Sequence, residues 1–303
     1  MAAKLKKLIF DSDKTSYFLM LPALLFAGAF TFYPLLYNFY LSVHKVDIST
    51  LLLDNRPFVG LENYMHVIVN SGDFLDIFGN TLIFVVSNVF FQLIIGFAFA
   101  YFFVQKFYFH KQMRGFVLIG WVMPPVIVGT IWRWLLNGDV GFLNYALSFV
   151  GVSRIPWLAS TTFAMIGVIM ANVWLNIPFN MILITSALVN IPEDVKEASA
   201  IDGASSFQRL RLIVLPLIKP TLMALAVLNI IFSFRGFALI WSMTMGGPVN
   251  STTILPVWSY VETFNHYNFG RGTALANIIL ILLVIISLIY IKFFVYKEEG
   301  ETL

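Results

Sequence analysis

The sequence predicts an all-α polytopic membrane protein with six transmembrane helices, and three observations predict it. Of 303 residues, 59% are hydrophobic and only 12% are charged. With a mean hydropathy of +0.84, this composition belongs to membrane proteins and not to soluble globular domains. Six apolar stretches, at about 17–41, 80–104, 116–136, 162–189, 219–245 and 273–295, reach the roughly twenty residues that a helix needs to cross hydrocarbon. Lys and Arg are dense in alternate inter-span segments, and cytoplasmic loops are the ones that carry such an excess.

The chain opens MAAKLKKLIFDSDK, but the apolar run after Ser16 exceeds twenty residues, which predicts a retained span and not a cleaved signal peptide. Lys4, Lys6, Lys7 and Lys14 precede span one, and Lys106, Lys111 and Arg114 lie between spans two and three. Lys196, Arg209, Arg211 and Lys219 lie between spans four and five, and Lys292 and Lys297 close the chain. The opposite side holds Lys45, Arg56, Arg154 and Arg271. Both termini are therefore expected to be cytoplasmic, as is the segment between spans four and five. Of the outer loops, 42–79 is the longest. The loop 137–161 contains Asn137-Gly138-Asp139 and Pro156-Trp157, a turn signal and an interfacial aromatic. Gly246-Gly247-Pro248 should end span five abruptly. Pro124-Pro125 in span three and Pro178 in span four should bend or break their helices.

The organisation read from this is a tail, first span and first outer loop at 1–75, the main membrane domain at 76–295 and a tail at 296–303. The pI of about 9.0 does not signal nucleic-acid binding, because the basic residues are divided among loops. Absence of cysteine excludes disulfides, thiolate catalysis and Cys-based metal sites. His44, His66, His110 and His266 lie in different loops without metal-ligand spacing.

The most polar segment lies between spans four and five. From 155 to 192 there is no charged residue, and then Glu193, Asp194, Lys196, Glu197, Asp202, Arg209, Arg211 and Lys219 follow closely. Its pattern predicts two short helices. Pro192 suits a first helical turn, and Glu193 and Asp194 sit where the helix dipole favours negative charge. Gly203 permits a change of direction, and Ser205 or Ser206 can cap the second helix. Phe207, Leu210, Ile213 and Val214 form an apolar stripe at helical spacing, with Arg209 and Arg211 off it and Pro216 and Pro220 interrupting the run. Pattern alone fits a solvated amphipathic connector equally well.

The residues Glu197-Ala198-Ser199, then three residues, Gly203, nine residues and Ile213-Val214-Leu215-Pro216 resemble the EAA loop of ABC importer permeases, with Ser199 in place of the second Ala. Further stretches, LPALLFAGAFTFYPLLYNFYLS (21–42), FVGLENY (58–64), NTLIF (80–84), IWRWLLNGDVGFLN (131–144) and MTMGGPVNST (243–252), are similar to the carbohydrate-importer branch. In particular they resemble the first permease subunits of maltose- and glycerol-phosphate-type importers. The resemblance implies a type I importer transmembrane domain in a bacterial or archaeal cytoplasmic membrane. It implies a coupling loop at about 190–219, formed by Glu197, Ala198, Ser199, Asp202, Gly203, Ala204, Leu215 and Pro216, that docks on a cytoplasmic ATPase. It also implies a second homologous permease forming a heterodimer, two ATPase subunits and an extracytoplasmic substrate-binding protein. No phosphate-loop signature G-x-x-x-x-G-K-[ST] occurs here, so ATP and Mg would be bound by the partner ATPase and no cofactor by this chain. Where many relatives read Phe-Asn-x-Phe-Asp in span five, this chain reads Phe234-Arg235-Gly236-Phe237-Ala238, so substrate preference does not transfer simply.

Polar residues within spans are the candidate substrate pathway. Asn172, Asn176 and Asn180 recur every four residues and share a helix face. Buried amides need partners, which either neighbouring helices or sugar hydroxyls supply, and Trp174 and Phe179 could offer apolar surface to a sugar ring. Asn229 and Ser233 are one turn apart in span five and either line the same route or pack. Arg235 is placed near the middle of span five, where a charge is costly; it should face a cavity, carbonyls or a partner subunit, or recognise an anionic substrate group. Arg133 should snorkel to the interface. The spans hold no Asp, Glu or His, which opposes both a membrane enzyme and an ion-coupled transporter.

Overall fold

The computed structural model describes residues 12–51, 53, 55–105 and 107–292, and apart from a bridge between His44 and Phe58 no strand occurs among them. Lys4, Lys6, Lys7, Lys106, Lys297, the tail 296–303 and the end of the sixth predicted span at 293–295 lie outside the described residues. By length and composition five helices can cross a membrane, or six if one sharply bent pair counts as one span.

The chain divides into two compact units, 1–70 with 261–277 and 71–260 with 278–303. In the first unit, α1 (Ser12–Ala27), a π turn (Gly28–Phe32) and α2 (Tyr33–Ser42) run on as one rod. No residue in the 18-residue apolar window of its span, Leu19–Ser42, is buried within the chain, as expected of a helix whose apolar faces meet lipid or another subunit. A short α3 (Glu62–Met65) follows. Asn63 Nδ2 donates to the Ser42 and His44 carbonyls at 2.8 and 3.0 Å. Tyr64 Oη donates to Ser42 Oγ at 2.8 Å and accepts from Asn277 Nδ2 at 3.0 Å. Asn277 Oδ1 in turn accepts from Asn38 Nδ2 at 2.7 Å. The FVGLENY stretch thus ties the end of the first span to the start of the last helix, α14 (Phe269–Tyr290).

The second unit is built around α8 (Thr161–Val189), 56% of whose apolar window is buried, against 28% for α4 (Phe74–Val104). The two helices lie close together: a Cβ on Gly96 of α4 would stand 2.6 Å from Asn180 Cβ of α8. One apolar layer joins Phe84, Val128, Val168, Leu239 and Ile240, and another joins Phe103, Met181, Ile184, Ile218 and Leu225. The helix runs through Pro178 where the sequence predicts a bend or break, because neighbouring helices can re-satisfy a backbone that proline frees.

Two predicted spans are not single rods. The stretch 116–136 consists of α5 (His110–Val122) and α6 (Pro125–Leu135), bent by 102° at the intervening break. Met123 and Pro124 are extended, at ψ 136° and 135°, as expected of residues that precede a proline. The stretch 219–245 is also divided. The helix begins earlier, with α10 (Ser206–Arg209), passes through a π turn (Leu210–Val214) into α11 (Leu215–Phe234), and stops at Arg235-Gly236 before α12 (Phe237–Thr244). Pro216 and Pro220 therefore do not interrupt the run. Leu215 N–H bonds to the Leu210 carbonyl within the π turn, and Pro216 enters at the start of α11, where no donor is missed. Gly236 fits the break tightly, since a Cβ there would lie 2.9 Å from the Ser233 carbonyl and 3.0 Å from the Phe84 ring. Arg235 is accordingly not inside a helix. It caps the C-terminus of α11 and its side chain is exposed.

Candidate functional site

The polar segment after α8 folds as a doubly capped hook. Helix α9 (Glu193–Ile201) begins at Pro192 with Glu193 and Asp194 in its first turn. It ends in a Schellman motif in which Gly203 N–H bonds to the Ala200 carbonyl and Ala204 N–H to the Ser199 carbonyl, each at 3.1 Å. Gly203 takes φ +73°, a conformation that other residues adopt only with strain. Ser205 then opens α10 with a capping box: Gln208 N–H donates to Ser205 Oγ at 3.3 Å, and Ser205 N–H to Gln208 Oε1 at 2.8 Å. Only Ala204 separates the two caps, so the reversal is held by backbone and side-chain bonds at both ends.

The hook has distinct inner and outer sides. Ser199 is buried, with Oγ bonded to the Lys196 carbonyl at 2.7 Å, so the hydroxyl that replaces a methyl is satisfied locally. Leu210, Ile213, Val214 and Arg209 face inward over a pocket. Glu197, Ala198, Asp202 and Gly203 are exposed, and so are Ile201 and Phe207, at 86% and 68%. Phe207 was expected on the inward stripe and Arg209 off it. The structure exchanges them: the inward face runs through Ser206, Arg209, Leu210, Ile213 and Val214, at the i, i+3, i+4, i+7 and i+8 positions of one helix face, and Phe207 lies off it.

Within the spans, both helix breaks face one cavity of about 300 Å³. Trp121 and Pro125 border it from the first break and Arg235, Gly236 and Leu239 from the second, and Asn172, Leu175, Asn176 and Phe232 complete its wall. Arg235 has no side-chain hydrogen bond or ion pair to any described residue. Its position at the end of α11 places the cation beside the negative pole of the helix, which favours it without an acidic partner.

The amides divide by depth. Asn172 Nδ2 donates to Asn88 Oδ1 at 2.8 Å, and Gln92 Nε2 reaches Asn88 Oδ1 and the Asn172 carbonyl at 3.3 and 3.4 Å. Asn180 and Asn229 are fully buried and exchange two hydrogen bonds, at 2.8 and 3.2 Å, while Ser233 Oγ bonds to the Asn229 carbonyl at 2.7 Å. Asn176 is only half-buried and borders the cavity. Trp174 is not brought to the amides. It lines a separate, mostly apolar groove of about 840 Å³ with Trp132. Phe179 packs between Trp121 and Phe232. The sequence reading missed Asn88, Gln92 and Trp121; the first two carry the same signal as the asparagine stripe, amides one turn apart in an apolar span.

The Asn180–Asn229 pair is testable. Replacing either residue by Ala leaves the other buried and unpaired, at a cost of about 1–3 kcal/mol. The double replacement should cost less than the two singles combined, with a coupling of roughly 0.6–1.7 kcal/mol. Denaturation of the four proteins in one detergent measures this, and simple additivity would show that the pair carries no joint stability.

A sequence profile described as "Binding-protein-dependent transport system inner membrane component" matches residues 92–297. The trehalose/maltose transport system permease protein MalF of Thermococcus litoralis is 33% identical over 94% of this chain and 95% of its own length. The sn-glycerol-3-phosphate transport system permease protein UgpA of Pectobacterium atrosepticum is 30% identical over 97% and 98%. A chain from a crystal structure of a bacterial ABC transporter involved in the import of the acidic polysaccharide alginate superimposes with a TM-score of 0.79 at 21% identity, over 95% and 96% of the two chains. These relatives are transport system permease proteins, and the chain belongs to the family of binding-protein-dependent transport system inner membrane components.

Proposed function

We propose that this chain is a permease subunit of an ATP-driven importer that carries a sugar or oligosaccharide across the cytoplasmic membrane. The observation that carries the reading is the hook. Its backbone is fixed by caps on both sides of Ala204, while Glu197, Ile201 and Phe207 are presented outward on a segment too polar for lipid. A rigid projection with an exposed apolar tip is suited to insertion in a cleft of another protein. The partner in this reading is a cytoplasmic ATPase, two copies of which bind ATP and Mg and drive this chain and a second, homologous permease between outward- and inward-open states. An extracytoplasmic binding protein delivers the substrate. The Lys and Arg distribution supports placing the hook and both termini in the cytoplasm.

The substrate pathway in this reading passes the cavity between the two breaks. Arg235 offers hydrogen-bond donors and Asn176 Oδ1 an acceptor, since Asn176 Nδ2 is bonded to the Asn172 carbonyl at 2.8 Å, and Trp121 and Phe232 offer apolar faces to a sugar ring. Asn180, Asn229 and Ser233 lie behind this wall and hold its helices in place. The curated relatives named above support a carbohydrate cargo. Arg235 does not by itself require an anionic one, since the helix end already favours its charge.

The test is purification of the tagged chain from its native membranes in mild detergent, followed by uptake assays in reconstituted vesicles. A second permease and an ATPase should co-purify, and uptake of radiolabelled sugar should depend on ATP and the binding protein and survive an uncoupler. Uptake abolished by the uncoupler with ATP still present would overturn the proposal in favour of ion coupling.

A further inference from the structure

The pocket beneath the hook has a chemistry that docking on an ATPase does not use. It holds about 250 Å³, enclosed by the last turn of α4, the end of α8 and the inner side of the hook. Tyr101, Gln105, Lys196, Ser199, Ser206 and Arg209 contribute its polar groups, Leu188 and Ile213 belong to its apolar walls, and no Asp or Glu among the described residues lines it. Lys196 pairs with Glu193 at 3.0 Å, but Glu193 is 72% exposed and outside the pocket. Arg209 has no acidic partner among the described residues. Its Nη2 reaches Ser206 Oγ only at 3.5 Å, and its Nε is buried without a hydrogen bond.

We propose that this pocket binds the phosphate headgroup of an anionic phospholipid, with Arg209 and Lys196 holding the phosphate and the apolar walls taking the upper part of an acyl chain. Three observations converge on a lipid and not a free ion. The walls are mainly apolar, which a hydrated inorganic anion does not need. Tyr101 and Val104 belong to the final turn of a span and Leu188 to that of another, so the pocket sits where helices leave hydrocarbon and headgroups begin. Tyr is favoured at that level, and basic pockets between spans on the cytoplasmic side suit anionic headgroups. The buried Nε of Arg209 supplies a donor whose burial costs free energy unless an acceptor reaches it. A lipid there would touch the hook from below, leaving Glu197, Ile201 and Phe207 free above. The inference rests on the hook's being cytoplasmic and extends the proposed function to its lipid requirement.

The experiment uses the full chain with whatever subunits accompany it, exchanged into micelles containing equal amounts of phosphatidylglycerol and phosphatidylcholine, with retained lipid counted by native mass spectrometry. Phosphatidylglycerol should be retained over phosphatidylcholine, and Arg209→Gln should lower its retention about fivefold. Should that variant not fold, Ile213→Trp, which fills the pocket and leaves both cations in place, should give the same loss. Equal retention of the two lipids by the unaltered protein overturns the proposal. So does unchanged retention in Arg209→Gln, including the case in which that variant loses the ATPase instead. Displacement of the lipid by millimolar inorganic phosphate would identify a free-anion site and also overturn it. Failure of any ATPase to co-purify bears on the coupling reading and leaves the lipid count intact.

Discussion

Glu197→Lys is expected to reduce ATP-driven uptake by on the order of a hundredfold while the protein keeps its unfolding midpoint. Glu197 is exposed, and it has no ion pair or side-chain hydrogen bond to any described residue. Lys196, its neighbour, is paired with Glu193. Reversing an exposed, unpaired charge changes fold stability by about 0.5 kcal/mol or less. The same reversal against a cationic or hydrogen-bonding cleft costs several kcal/mol, because a complementary contact becomes a repulsive one. The two readouts should therefore separate widely, with vesicle uptake lost and thermal unfolding unmoved. ATP hydrolysis by the complex should persist without stimulation by the binding protein. Uptake at the unaltered level would count decisively against docking through this face. Gly203→Val is a useful companion, since it strains the φ of +73° and should misdirect the hook without altering its charge.

Hydropathy and Lys/Arg placement made the helical class and the approximate spans legible in the sequence, and the caps of the hook were legible from Gly203 and Ser205. The division of spans three and five was only half legible. Pro124-Pro125 announces the first break by local chemistry. Arg235-Gly236 carries no comparable signal. At that break Gly236 leaves no room for a Cβ beside the Phe84 ring, a neighbour distant in the chain and invisible to any short window of sequence. Apolar content continues across it, so a hydropathy count reads 219–245 as one rod and puts Arg235 in mid-membrane. The facing of the second short helix escapes the pattern as well: its inward side takes Ser206 and Arg209 and leaves Phe207 outside, at a spacing that fits a helix face as well as the expected stripe does.

The stretches that carried the family resemblance turn out to be structural partners more than contact residues for cargo. Asn80 Nδ2 of NTLIF donates to the Asn250 carbonyl, and Thr81 Oγ1 accepts from Leu255 N–H, each at 3.0 Å. These bonds fasten α4 to the GGPVNST turn and the residues after it. That turn is itself closed by Thr252 Oγ1 on the Gly247 carbonyl at 2.8 Å and on Thr244 Oγ1 at 2.7 Å. In NGDVGFLN, Asn144 donates to the Gly138 and Ile155 carbonyls and accepts from Ile155 N–H and Trp157 Nε1. Its amide is then fully used. Residues like these are specified by the geometry of the turns they close.

Gly129→Leu is expected to be the most damaging single change to the transport core. Gly129 belongs to α6, which follows the first break, and it meets α12, which follows the second. An added Cβ would overlap Ser242 Oγ and stand 2.9 Å from the Leu239 carbonyl. The carbonyl cannot move without unwinding α12, and Ser242 Oγ is held by that same carbonyl at 2.9 Å. Even Gly129→Ala should cost about 1–3 kcal/mol, and Leu more, since overpacked sites relax by shifting backbone. Because α6 and α12 are the continuations of the two broken spans, pushing them apart moves Pro125 away from Gly236 and Leu239 and so opens the cavity wall. Stability and uptake should fall together, unlike the Glu197→Lys case. Adding Ser242→Gly to Gly129→Ala removes the nearest obstruction but not the carbonyl, and should restore part of the unfolding midpoint. Absence of any rescue would mean that the two half-helices do not share this contact in the membrane, and the cavity's construction from paired breaks would have to be abandoned.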